Sequence, residues 1–127
     1  MADPIGTFTS KMSGLTLTKT ADGHMQQLVN YEGNATGFGP FVGTLAVTHP
    51  LEEAGATSGT CTWVAKAILQ DKSIIGDIAE GTWERLGEAL RSKIVLRSTL
   101  SDGSHLRLEG VADWDTRTFD GQIYEAT

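Results

Sequence analysis

Apolar and polar side chains alternate with a period of two along most of the chain, and turn residues break the alternation at short intervals. Leu15 and Leu17 alternate with Thr16 and Thr18 in a first segment, about Gly6 to Thr20, that ends at Ala21-Asp22-Gly23. A second segment runs from His24 to Thr36 and stops at Gly37-Phe38-Gly39-Pro40. Phe41 to Thr48 forms a third, closed by His49-Pro50, since the residue before a proline is held extended. Beyond the loop Leu51 to Ala56, Thr57 to Leu69 is expected to pair with Ser73 to Arg85 across Gln70-Asp71-Lys72. Glu88 to Leu100, Ser104 to Trp114 and Thr118 to Glu125 complete eight predicted strands.

The turn Ser101-Asp102-Gly103 fixes a register, because Gly103 can take the left-handed position of a three-residue hairpin loop. Leu100 then faces Ser104, Leu96 faces Leu108, Ile94 faces Gly110 and Leu90 faces Trp114, all on one face. The other face gathers Arg91, Lys93, Arg97, His105, Arg107, Glu109 and Asp113, and a slip of one residue would mix the two sets. Phe119 and Ile123 continue the apolar face after a turn near Asp115-Thr116, while Thr118, Asp120 and Gln122 continue the polar one. A competing helix over Thr82 to Arg97 places Trp83, Leu86, Leu90 and Ile94 on one stripe. Gly87 in its middle and the β-branched pair Ile94-Val95 count against it.

Eight sequential strands joined by short turns are best closed into an up-and-down antiparallel barrel, which removes exposed sheet edges. An all-β single domain over residues 1–127 is therefore the expected fold, its interior just wide enough to be filled or to hold one small ligand. The composition agrees: 15 Gly and 16 Thr stand against 3 Pro in 127 residues, and 39% of the residues are apolar. With 16 acidic and 10 basic side chains the net charge is −6, which disfavours nucleic acid or an anionic membrane as main partner. No apolar run reaches the length of a membrane-spanning helix, and Met1 to Thr9 lacks the basic and apolar regions of a secretory signal, so a cytoplasmic location is expected. The single cysteine, Cys61, closes no internal bridge.

The stretch Tyr31-Glu32-Gly33-Asn34-Ala35-Thr36-Gly37-Phe38-Gly39, with Gly43-Thr44-Leu45 and later Glu80-Gly81-Thr82-Trp83, resembles the allene-oxide-cyclase-like barrels of calycin type. The resemblance lies in strand count, glycine placement and turn spacing over most of the chain. It implies a barrel with a mostly apolar lumen, often a homo-oligomer, and in some members isomerisation or cyclisation of an apolar substrate. It transfers no catalytic residue.

Candidate chemistry centres on the Thr57–Leu69 and Ser73–Arg85 hairpin. With Asp71-Lys72 as a two-residue turn, Lys66 faces Asp77 outside, while Trp63 faces Glu80 and Cys61 faces Thr82 on the inner side. A carboxylate beside an indole in an apolar lumen would have a raised pKa and could serve as general acid or base. The alternative places Glu80 outside, solvated or paired with Lys93, and a three-residue turn would bring Trp83 to Trp63 instead. Cys61 with His49 as base would make a nucleophile, but no local signature supports the pair, and a buried structural thiol is the simpler reading. His24, His49 and His105 sit singly, and Asp113-Trp114-Asp115 is a lone pair of acids, so no metal site is expected. Gly37, Gly39 and Gly43 do not fit a dinucleotide fingerprint, and no cofactor is expected. Arg91, Lys93, Arg97 and Arg107 read as a solvated face balanced by Glu109 and Asp113.

The functional expectation is a lumen that binds a small apolar or aromatic molecule. As an enzyme the protein would be a cofactor-free isomerase, cyclase or lyase, with Glu80 or Glu32 as acid or base and Trp63, Tyr31, Trp83, Cys61 and His49 about the ligand. As a carrier it would use the same lumen without turnover, and a barrel packed solid would have a structural role only. In the two-residue-turn register Ile75, Ala79 and Trp83 lie outside beside Val64 and Ile68, which predicts a homo-oligomer, a dimer before a trimer, with Trp83 near the contact.

Overall fold

The computed structural model describes residues 3–126. Met1, Ala2 and Thr127 lie outside the described residues, as do the parts of the single-domain and leader-segment readings that fall on them. The chain forms β1 (Gly6–Lys19), β2 (Met25–Ala35), β3 (Gly39–His49), a 3-10 turn (Leu51–Glu53), β4 (Ser58–Ile68), β5 (Ile74–Arg85), β6 (Arg91–Leu100), β7 (His105–Asp113) and β8 (Thr118–Ala126). Each strand pairs antiparallel with the next, and β8 returns to β1, so the sheet closes as the eight-stranded barrel that the turn spacing implies. Among the described residues no helix is long and apolar enough to cross a membrane.

Alternation sorts each strand into an inner and an outer row. Ile94, Leu96 and Leu100 of β6 face inward with Leu106, Leu108 and Ala112 of β7 and Phe119 and Ile123 of β8, all 8% exposed or less. The β6–β7 register is the one fixed by the Ser101–Gly103 turn, with Leu96 opposite Leu108 and Ile94 opposite Gly110. Gly103 takes φ +89° there, and the Asp102 carboxylate caps the turn by accepting from the Ser104 amide at 2.9 Å.

Two local expectations are corrected. The β4–β5 loop contains three residues, Gln70 to Lys72, closed by the Leu69 amide donating to the Ser73 carbonyl at 2.9 Å, with Lys72 at φ +72°. Trp63 therefore stands opposite Ala79, Cys61 opposite Gly81 and Lys66 opposite Gly76, one residue away from the two-residue-turn register. Nor does Trp83 reach Trp63, because it sits opposite Gly59. The slip turns every β5 side chain over: Ile75 and Ala79 are buried and Trp83 packs on the core, while Ile74 and Ile78 lie outside.

The segment Thr82–Arg97 is not a helix, and Glu88 to Leu90 do not extend β6. Gly87 at φ +63° turns the chain, and the Arg85 guanidinium donates to the carbonyls of Glu88 and Ala89 at 3.1 and 3.3 Å, holding those residues in the loop.

Candidate functional site

Five aromatic rings cross the middle of the barrel. Phe119 touches Phe8, Tyr31 and Trp63 at centroid distances of 5.0, 5.4 and 5.6 Å, and Phe41 joins Trp63 at 6.2 Å. Tilted and edge-to-face pairs of this kind are favourable beyond their burial alone. The layer arises because inward positions on β1, β2, β3, β4 and β8 carry aromatics at one height, and it divides the lumen into two chambers.

The narrow chamber opens toward the β2–β3, β4–β5 and β6–β7 turns and encloses about 530 Å³ counting space open to solvent. Apart from Asp77 and the exposed Lys66 its walls are apolar: Phe38 and Phe41, Ala65 and Ala67, Ile75, Leu100, Leu106, Leu108 and Ile123. Asp77 is the one carboxylate in that wall. The register that removes Glu80 from the lumen puts Asp77 into it, opposite Ala65 on β4 and Leu100 on β6. Ser98, 2% exposed, donates its hydroxyl to Asp77 Oδ2 at 3.1 Å, whereas the buried Oδ1 has no hydrogen-bond partner. Burial pushes the Asp77 carboxyl up to about 6, against the opposing pull of the Ser98 hydroxyl and of the nearby Trp63 indole, which stops short of hydrogen-bond geometry with the carboxylate.

The wide chamber opens at the other end, toward the 3-10 turn and the β5–β6 and β7–β8 loops, and encloses about 970 Å³ counting its mouth. Its wall mixes Val29, Leu45, Val47, Trp83, Leu90 and Trp114 with Gln27, His49, Glu53 and Arg85. β8 pairs with β1 only as far as Lys11, so Leu15 and Leu17 beyond the Ser13 bulge remain 44% and 62% exposed.

The candidate residues of the sequence divide among these places. Tyr31 and Trp63 belong to the aromatic layer, Tyr31 toward the wide chamber and Trp63 toward the narrow one. Trp83 and His49 line the wide chamber, where the Trp83 indole lies over Gly59 with its buried Nε1 unpartnered. His49 Nδ1 lies 2.8 Å from the carbonyl oxygen of Pro50. Cys61 is buried but lines neither chamber, and burial pushes its thiol up to about 11, so it is a protonated thiol at neutral pH. Burial likewise pushes the Tyr31 hydroxyl up to about 12. Glu80 and Glu32 are exposed on the outer face, Glu80 opposite Thr62 and Arg97 and Glu32 opposite Lys11 and Val42, so neither carboxylate reaches the lumen. The carboxylate beside an indole therefore exists, but it is Asp77. No signal in the sequence marks it, because the three-residue loop turns on Lys72 at φ +72°, a place where glycine is the usual residue.

The described residues hold no group of three or more His, Cys, Asp or Glu that could bind a metal ion. The site and fold define a closed antiparallel barrel with a divided, mostly apolar lumen, compatible in shape with a calycin-like small barrel. Comparison with protein families, curated proteins and solved structures finds no match.

Proposed function

We propose that the protein binds a small apolar or aromatic molecule in the narrow chamber, with Asp77 as the polar anchor. The observation that carries this reading is one unpartnered carboxylate oxygen in a wall whose only other charged residue is Lys66, itself exposed. Pockets that combine apolar walls with a few placed polar groups are the usual form of small-molecule sites. The ligand is a ring or short aliphatic body bearing one hydrogen-bond donor, because ionised Asp77 can only accept. At pH 8 the fluorescent probe 1-naphthol is expected to bind wild type, and Asp77→Leu to lose about tenfold or more in affinity, as a charged hydrogen bond is removed. Equal affinity in the two proteins, or no binding to either, would contradict the reading.

A second reading adds turnover, supported by the carboxyl titrating near 6: Asp77 takes a proton from the bound molecule and returns it at another atom, as in a cofactor-free isomerase, cyclase or lyase. Asp77→Asn would then abolish the rate while affinity falls far less, whereas a carrier has no rate to lose.

A further inference from the structure

The wide chamber has polar groups at its mouth and its floor, separated by an apolar waist. At the mouth Arg85 and Ser92 stand opposite each other on β5 and β6, both in the chamber wall. Arg85 Nη2 and Nε donate to the carbonyls of Glu88 and Ala89 at 3.1 and 3.3 Å, which fixes the guanidinium and leaves Nη1 free. Among the described residues the ion pairs are Asp22–His24 and Arg107–Glu109, so Arg85 meets no carboxylate. Arg91 and Glu53 also line the mouth, but both are exposed and of opposite sign, so the half-buried Arg85 sets the charge inside. One inner row deeper, about 7 Å along the strands, Trp83 stands opposite Ile94, and Val29 and Leu45 complete the waist. Tyr31, 4% exposed, lies at the floor, where no hydrogen bond within the chain offsets the burial of its hydroxyl.

We infer that the wide chamber is a second binding site, for a planar aromatic carboxylate that carries a hydroxyl group at its far end. An anion is selected by the mouth: Arg85 Nη1 and the neighbouring Ser92 hydroxyl offer donors to one carboxylate, and a fixed guanidinium makes the stronger, charge-assisted bond. A flat ring is selected by the waist and floor, where the Trp83 indole and the aromatic layer present ring faces and edges to whatever enters. The far hydroxyl is selected by Tyr31, because a buried hydroxyl without a partner is costly and a ligand hydroxyl can both accept from it and donate to it. The site differs from the narrow chamber in place and in charge, and it stands whether or not that chamber binds a ligand.

Titration calorimetry of the full chain at neutral pH with 6-hydroxy-2-naphthoate tests it. Wild type is expected to bind this probe about tenfold or more tighter than the neutral 6-hydroxy-2-naphthamide, a comparison that alters no residue of the protein. Arg85→Gln is expected to bring acid and amide to within about threefold of each other. Loss of the ring hydroxyl, as in 2-naphthoate, is expected to weaken binding by about fivefold in wild type and by less than about twofold in Tyr31→Phe. Asp77→Leu, in the other chamber, is expected to bind the acid within about twofold of wild type. No binding by wild type, equal affinity for acid and amide, an acid preference that survives Arg85→Gln, a hydroxyl effect that survives Tyr31→Phe, or loss of binding in Asp77→Leu would overturn the proposal.

Discussion

At the scale of single residues, Asp77 couples the interior to pH. Its carboxyl sits near 6 when folded against an ordinary value of 3.8, so the native state holds the proton more tightly than the unfolded chain. Stability is therefore unaffected below about pH 3.8, falls as pH rises toward about 6, and carries the full cost above that. Discounted for partial solvent access, the cost is about 1–2 kcal/mol. Asp77→Asn is expected to be more stable than wild type by that amount at pH 8 and equal to it at pH 3.5, measured by urea denaturation at both values. Equal stabilities at pH 8 would show that the carboxyl is not desolvated. Cys61 offers a second check: protonated and 4% exposed, it is expected to react with a bulky disulfide reagent only at the rate of unfolding. The residue-level error of the sequence reading came from the same site. Composition and alternation identified Trp63 as inward, yet the carboxylate that accompanies it depends on one turn residue, because a lysine at φ +72° leaves no compositional mark as a glycine does.

At the scale of elements, turns set register and register sets which side chains face the lumen. Gly103 and Lys72 occupy the equivalent left-handed place in their three-residue loops, but only Gly103 announces it. Lys72→Gly is expected to stabilise the protein by up to about 1 kcal/mol, since it relieves the left-handed cost of a side chain at that position. A thermal midpoint at or below that of wild type would contradict this assignment of the turn. Within strands, Gly81 has a different duty: a Cβ there would run into the backbone of Val95 and Leu96 on β6. Gly81→Ala is accordingly expected to cost about 3 kcal/mol or more, and a loss below about 1 kcal/mol would mean that β5 and β6 are less closely apposed. Strand order and, to within two residues, the ends of every strand except the start of β6 were legible in alternation and turn residues. The start of β6 was not, because the Arg85 guanidinium that binds the Glu88 and Ala89 carbonyls acts through three dimensions rather than through local propensity.

At the scale of the whole molecule, the barrel is neither hollow throughout nor packed solid. Eight strands leave room for one layer of large rings, and Tyr31, Trp63, Phe119, Phe8 and Phe41 fill the middle. That layer could not be foreseen from the strands one by one, because its members come from five strands whose heights depend on stagger around the closed sheet. What remains is a narrow apolar chamber with Asp77 and a wide, mixed chamber with His49, Arg85 and Trp83. In the proposed reading a donor-bearing ligand in the narrow chamber would supply the bond that Asp77 Oδ1 lacks, and so would favour the ionised carboxylate. The most direct measurement is a pH titration of the Asp77 side-chain carbon by nuclear magnetic resonance, with and without saturating 1-naphthol. The account predicts a midpoint near 6 in the free protein that falls by about one unit on saturation, matching about tenfold weaker probe binding to the protonated form. A midpoint near 3.8 in the free protein, or one that the probe leaves unmoved, would contradict it.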